Sequence, residues 1–268
     1  MAVESCDGLR IEWGGPVLRI TIDRSDAGST LTGEMVATMI SALKEAPEDP
    51  EIRVVALGSS GKDFCTGVDL RAANAKSDAR PRIGHHHRRI DGGVNEMIRA
   101  LSDVELPVVA GVRGWAAGAG LSLALFSDYI VASESAKFWA PFTPRGFTPD
   151  SGTTYLIPRL IGVARAKEML LLGKPVGAAK AEAWGMINEA VPEAAFDQTF
   201  HEAVGMFAET ATVAVGLAKS LIRRNLDQPL TQALYNESFA EEVALRSSDF
   251  KVGIAALMKR GDANFTGS

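Results

Sequence analysis

The chain is predicted to adopt an α/β fold: a mostly parallel sheet covered on both faces, with a helical C-terminal extension. Three observations carry this expectation. Strand and helix signals alternate through the first half of the chain, and the strand segments are near-continuous apolar runs. From about Pro158 onward almost every signal is helical. Strands separated by helices pair in parallel, because each crossover lays a helix on the sheet and so buries both of its faces.

Residues 17–22 (VLRITI) read as a strand. Val36, Met39, Ile40 and Leu43 then recur at i, i+3, i+4 and i+7, the spacing of one buried helix face, and Pro47 ends that helix. Residues 52–57 (IRVVAL) form the next strand, followed by the glycine-rich stretch 58–67. A polar segment leads into a helix at 90–101, and 107–112 (PVVAGV) and 128–132 (DYIVA) are further strands. Helices are expected at 164–172, 178–184, 196–208, 211–225 and 230–246. The last, 249–259, places Phe250, Ile254, Leu257 and Met258 on one face. Residues 1–200 are read as the core unit and 201–268 as a C-terminal helical region.

Composition narrows the function. At 268 residues and 46% apolar, the chain can bury a sizeable core and is not of disordered type. Its 28 Lys+Arg against 33 Asp+Glu give a net charge of −5, which offers no overall basic field to nucleic acid. Cys6 and Cys65 are too few for a disulfide scaffold and form no metal pattern. The most apolar stretch, residues 114–127, is shorter than the roughly 20 residues of a spanning helix. The start MAVESCDGLRIEW has no signal-peptide pattern, so a cytoplasmic protein without a membrane partner is expected.

Three segments could carry chemistry. Residues 58–70 (GSSGKDFCTGVDL) follow a strand. They do not match a Walker loop, since Asp63 follows Lys62, but their glycines can aim backbone N–H groups into a cleft, or simply make a tight strand exit. Residues 114–124 (GWAAGAGLSLA) also follow a strand and open a helix. The stretch lacks GxGxxG, and Ser122 lies too far from the strand end to be a nucleophile elbow, which leaves it as a packed serine. In residues 139–154 (WAPFTPRGFTPDSGTT), Asp150 is either a helix N-cap or a desolvated carboxylate able to act as a general base. His85, His86 and His87 lack metal-ligand spacing. They sit among Arg80, Arg82, Arg88 and Arg89 and read as a solvated basic segment that could cover an anionic ligand.

Together, residues 22–24 (IDR), 49–57 (DPEIRVVAL), 64–70 (FCTGVDL), 107–112, 114–128, 157–162 (IPRLIG), 181–187 (AEAWGMI), 249–253 (DFKVG) and 259–265 (KRGDANF) resemble the crotonase, or enoyl-CoA hydratase/isomerase, superfamily. The resemblance spans nearly the whole chain, and the order and spacing of the motifs make it specific. It implies a ββα spiral core and homotrimers, often paired as hexamers, with residues 201–268 packing between subunits. It further implies an acyl-CoA thioester as substrate, with CoA part of that substrate and neither cofactor nor metal required. The backbone N–H groups of Val68 and Ala119 match the family's oxyanion hole. Lys62 matches a contact to CoA phosphates, and Cys65, Thr66 and Val68 match backbone that binds the adenine and pantetheine end. Asp69, Leu70, Trp115, Ser122 and Phe142 complete the substrate-binding set that the resemblance implies.

The chain departs from the family where hydratases carry two glutamates; Ser122 and Phe142 stand there instead, and neither can activate a water as a carboxylate does. Asp150 is the acid left at a family catalytic position. The expectation is therefore double-bond isomerisation of an enoyl-CoA by one aspartate. A hydratase with other catalytic residues, a non-catalytic acyl-CoA binder and a Ser122-based hydrolase using His201 are the alternatives. Asp26 occupies a position where relatives often carry a base for CoA phosphate, a role the Arg80–Arg89 segment could take over.

Overall fold

The computed structural model describes residues 2–69 and 82–268. In chain order the elements are β1 (Leu9–Gly14), β2 (Val17–Ile22), α1 (Gly33–Glu45), β3 (Val54–Ser59) and α2 (His85–Ile90). A π-helical turn, Asp91–Asn95, joins α2 to α3 (Glu96–Asp103). Next come β4 (Val108–Val112), β5 (Trp115–Ala117), α4 (Ala119–Leu125), β6 (Tyr129–Ser133), β7 (Lys137–Trp139), α5 (Thr153–Leu172), β8 (Val176–Gly177), α6 (Ala178–Ala183) and β9 (Glu189–Val191). The chain finishes with α7 (Phe196–Ala208), α8 (Thr212–Asn225), α9 (Leu230–Ala244) and α10 (Ser248–Lys259).

Six strands form one sheet in the order β1-β2-β3-β4-β6-β9, antiparallel at the β1–β2 hairpin and parallel elsewhere. β5, β7 and β8 form a second, smaller sheet. The mixed α/β architecture agrees with the expectation, and both faces of the large sheet are covered. Side chains alternate along β3: Val55 and Leu57 enter the main core, whereas Val54 and Ala56 face Phe196, Ala203 and Val204 of α7. β4 repeats this, with Val109 on the α7 side. Gly111 lies so close to α7 that an added Cβ would meet the Phe200 ring at 3.0 Å.

Several elements differ from the sequence expectation. β1 and the short strands β5, β7, β8 and β9 were not anticipated; the last four have two or three residues each and exist through their pairing partners rather than through local pattern. The expected helix at 164–172 is the second half of α5, which begins at Thr153 and breaks at Gly162, where φ is 77°. Leu70 lies outside the described residues. Among the described residues no single helix is long and apolar enough to cross a membrane.

α8 is tied to the core by a cation and a close approach. Lys219 Nζ donates to Asp128 Oδ2 at 2.7 Å and to the Leu106 carbonyl at 3.0 Å, while the Val108 N–H donates to the same carboxylate oxygen. Burial raises the Asp128 pKa and lowers that of Lys219, and their mutual contact offsets part of both shifts. Nearby, Gly216 packs where an added Cβ would stand 2.3 Å from the Glu105 carbonyl oxygen. Lys219→Met leaves Asp128 half-buried without its cation. We expect it to lower unfolding stability by about 1–3 kcal/mol, below the range for a fully buried pair, and Asp128→Asn added to it to restore part of the loss in urea titrations.

Candidate active site

The site begins with two backbone segments held against each other. After β3 the chain crosses toward β5, where Cys65 N–H donates to the Trp115 carbonyl at 3.0 Å and Ala117 N–H donates to the Cys65 carbonyl at 2.8 Å. Thr66 Oγ1 donates to the Gly28 carbonyl at 2.6 Å. Leu31 N–H then bonds the Gly67 carbonyl and Asp69 N–H bonds the Leu31 carbonyl, at 2.8 and 2.9 Å. This bracket around Val68 turns its own N–H to the opposite side, where no acceptor meets it among the described residues.

The facing segment is the start of α4. Ala119 is its first residue, so its N–H has no partner within the helix. Two glycines bring the segments into contact. An added Cβ on Gly67, which has φ 99°, would lie 3.1 Å from the Ala117 carbonyl oxygen and 3.6 Å from the Ala119 nitrogen. On Gly120 it would lie 2.1 Å from the Cys65 carbonyl oxygen. Backbone therefore packs on backbone here, and Val68 and Ala119 share one cavity.

That cavity has a volume of about 530 Å³. Val68, Ile90, Val94, Pro141, Phe142 and Phe147 make most of its wall apolar, and Phe142 and Phe147 meet edge to face at 5.8 Å. Thr66, Ser151, His86, Arg89, Arg145 and Asp150 supply the polar groups, and Asp150 is the single carboxylate among the described lining residues.

Asp150 sits on a strained turn. Ser151 and Gly152 both have left-handed backbone, with φ 53° and 79°, and a Cβ on Gly152 would meet the Phe126 ring at 2.8 Å. The two readings of Asp150 separate here. Its carbonyl, not its carboxylate, accepts from Thr153 N–H and Thr153 Oγ1. The α5 N-terminus has no side-chain cap, so the carboxylate is left for the cavity. Burial pushes the Asp150 pKa up, and the hydrogen bond from Ser151 Oγ at 2.8 Å offsets part of that.

Of the sequence-derived set, Thr66, Val68, Ala119, Phe142 and Asp150 meet in the cavity wall. The others lie elsewhere. Lys62 is exposed, and its carbonyl backs onto Gly114. The Asp69 carboxylate pairs with Arg24 at 2.9 Å. Trp115 packs against Trp139 with ring centroids 5.3 Å apart, and Lys137 stands over its ring. Cys65 is fully buried, which pushes its thiol up to about 12, so it serves through its backbone and packing. Ser122 is 1% exposed and its hydroxyl has no hydrogen-bond partner among the described residues. Asp63 was not singled out, yet its carboxylate accepts from Trp115 N–H at 3.0 Å and holds the start of β5. Arg145 and Ile90 were also missed as cavity residues, and His86 joins the wall although its segment reads as a solvated basic run. Among the described residues, the histidines join no group of three metal-ligating side chains.

Comparison with known proteins is consistent with this arrangement. The family model described as enoyl-CoA hydratase/isomerase matches residues 12–268. The 1,2-epoxyphenylacetyl-CoA isomerase of Escherichia coli (strain K12) is 34% identical over 252 residues, covering 94% of this chain and 95% of its own. The carnitinyl-CoA dehydratase of Salmonella typhi is 30% identical over 227 residues, 84% of each chain. The crystal structure of enoyl-CoA hydratase from Bacillus anthracis superposes with a TM-score of 0.89 at 26% identity, covering 97% of this chain and all of the other.

The packing of the two segments can be tested by two helical glycines of opposite character. Gly120→Ala drives a methyl into the Cys65 carbonyl, and we expect it to lower stability by about 1–3 kcal/mol. Gly205→Ala in α7 meets no atom within 4 Å and is expected to raise stability by about 0.4–1 kcal/mol; urea unfolding midpoints of the two variants provide the check.

Proposed function

This chain belongs to the enoyl-CoA hydratase/isomerase family, and we propose that it is an isomerase within it, moving the double bond of an enoyl-CoA with Asp150 as the only acid–base group. The observation that carries this reading is a cavity lined by Val68 and Ala119 in which Asp150 is the single carboxylate among the described residues. A two-carboxylate hydration would need a second acid. Ser122 and the buried Phe142 stand at the positions where the resemblance places those acids. The E. coli relative named as an isomerase is in keeping with this, whereas hydratase and dehydratase names among other relatives keep water addition as the competing outcome.

In the proposed reaction the thioester oxygen accepts hydrogen bonds from Val68 N–H and Ala119 N–H. The Asp150 carboxylate takes a proton from the acyl chain, and the electron pair delocalises into a dienolate whose charge rests on that oxygen. Losing one such donor typically costs about 2.7–4 kcal/mol of transition-state stabilisation. The protonated Asp150 then returns its proton two carbons away, which restores the thioester and leaves the double bond shifted. Phe142 and Phe147 make the surroundings apolar, favouring a carboxylate of raised pKa and a dienolate shielded from water. CoA enters as part of the substrate.

We further propose that the protein works as a homotrimer or a dimer of trimers, with residues 1–200 carrying the site and 201–268 forming the contacts. The C-terminal helices support this. Leu230 and Tyr235 of α9 and Leu257 and Met258 of α10 are 66–80% exposed. Large apolar side chains left this exposed on successive helices support such an association surface.

Two outcomes follow. Asp150→Asn is expected to lower isomerase turnover of a panel of enoyl-CoA thioesters by about 10²–10⁴-fold. A base must be deprotonated to act, so the wild-type kcat/KM should fall on the acid side through a pKa above the ordinary aspartate value of about 3.9. Chromatography of the products with mass spectrometry reads turnover: a shifted double bond without added water mass supports the reading, and added water mass or full turnover by the Asn variant sinks it. Sedimentation velocity of the wild type should give a trimer or hexamer, and Leu257→Glu with Met258→Glu should shift it toward monomer.

A further inference from the structure

One part of the cavity wall carries basic side chains for which the proton shuttle has no use. His86, on α2, and Arg145, in the 3₁₀ turn Thr143–Arg145, line the same cavity as Val68, Ala119 and Asp150. The turn is held by Arg145 N–H donating to the Phe142 carbonyl at 2.9 Å and by Gly146 N–H donating to the Thr143 carbonyl at 3.0 Å. The Arg145 guanidinium lies over the Trp139 ring, 4.8 Å from its centroid, and that indole is itself anchored by its N–H to the Gly173 carbonyl at 2.6 Å.

The ring helps to hold the guanidinium in place, and its N–H groups can meet an oxyanion. Among the described residues no carboxylate lies within ion-pair distance of Arg145 or His86, and the hydrogen-bond partner of Asp150 is Ser151. Both side chains are exposed at the cavity's edge, where a basic group without a counter-ion among the described residues can meet a ligand anion through a charge-assisted hydrogen bond.

We propose, resting on the acyl-CoA reading, that Arg145 with His86 forms an anion-recognition edge of this cavity, binding a carboxylate or phosphate oxygen of the thioester ligand. Two anionic groups of such a ligand are the candidates, a carboxylate at the far end of the acyl group and the 3′-phosphate of CoA; the 5′-diphosphate, common to every CoA ligand, is not the recognised group.

The test is calorimetric binding of glutaryl-CoA, pentanoyl-CoA and their 3′-dephospho forms to the full chain. These saturated thioesters have no double bond to move, so binding reads the edge whether or not the isomerase reading holds. The wild type should bind ligands bearing the recognised anion about tenfold or more tightly, the size of one charge-assisted hydrogen bond. Arg145→Gln should abolish that difference and leave 3′-dephosphopentanoyl-CoA unchanged. His86→Gln should weaken the same ligands to a smaller degree.

A loss confined to the two glutaryl ligands supports the edge and makes the acyl carboxylate the bound group. A loss confined to the two 3′-phosphorylated ligands supports it and makes the nucleotide phosphate the bound group. Equal weakening of all four, or no preference in the wild type, overturns the edge. A preference here, with no isomerase turnover in the separate enoyl-CoA panel, would sink the mechanism above and leave the edge standing.

Discussion

The packing of backbone on backbone at Gly67 and Gly120 is the constraint on which the candidate site rests. A Cβ at Gly120 would stand 2.1 Å from the Cys65 carbonyl oxygen, so the segment after β3 and the start of α4 can meet only where side chains are absent. That contact brings together two N–H groups with no protein acceptor among the described residues. It is reinforced by the hydrogen bonds that tie Cys65 to β5 and Gly67 and Asp69 to Leu31. Rigid amides need little reorganisation when charge develops opposite them, which is the condition for electrostatic stabilisation to be effective.

The same surroundings set the character of Asp150. The carboxylate is raised by burial and retains one hydrogen bond, from Ser151, so it is neither locked into an ion pair nor consumed as a helix cap. Two consecutive left-handed residues, Ser151 and Gly152, shape the turn that presents it. Non-glycine residues rarely hold a positive φ unless the fold compensates elsewhere, and the packing of Gly152 against Phe126 offers such a compensation. In the proposed mechanism this carboxylate, between the aromatic wall and the amides, shuttles a proton.

Residues that the resemblance places among the ligand contacts also make contacts within the scaffold. Asp69 pairs with Arg24, Trp115 packs on Trp139 and the Cys65 thiol is pushed far from the thiolate form. Two basic side chains of the cavity wall, His86 and Arg145, were not marked by the motifs of the resemblance. Their selection depends on how α2 and the 3₁₀ turn fold over the amides, and no local spacing records that.

The linear pattern by itself determined the parallel β-strands at 17–22 and 107–112, the buried face of α1, the C-terminal run of helices, the family resemblance and the lack of carboxylates at Ser122 and Phe142. These are legible because apolar period, helix spacing and residue chemistry are local properties. Only the tertiary structure decided that the Val68 N–H faces away from Leu31, that the Asp150 side chain leaves the α5 N-terminus uncapped, and that Ser122 is buried with its hydroxyl unpartnered among the described residues. It also created the strands β5, β7, β8 and β9. The reason is physical: the direction of an amide and the existence of a two- or three-residue strand depend on hydrogen bonds to residues far away in the chain, and such bonds exist only once the fold has brought their partners into register.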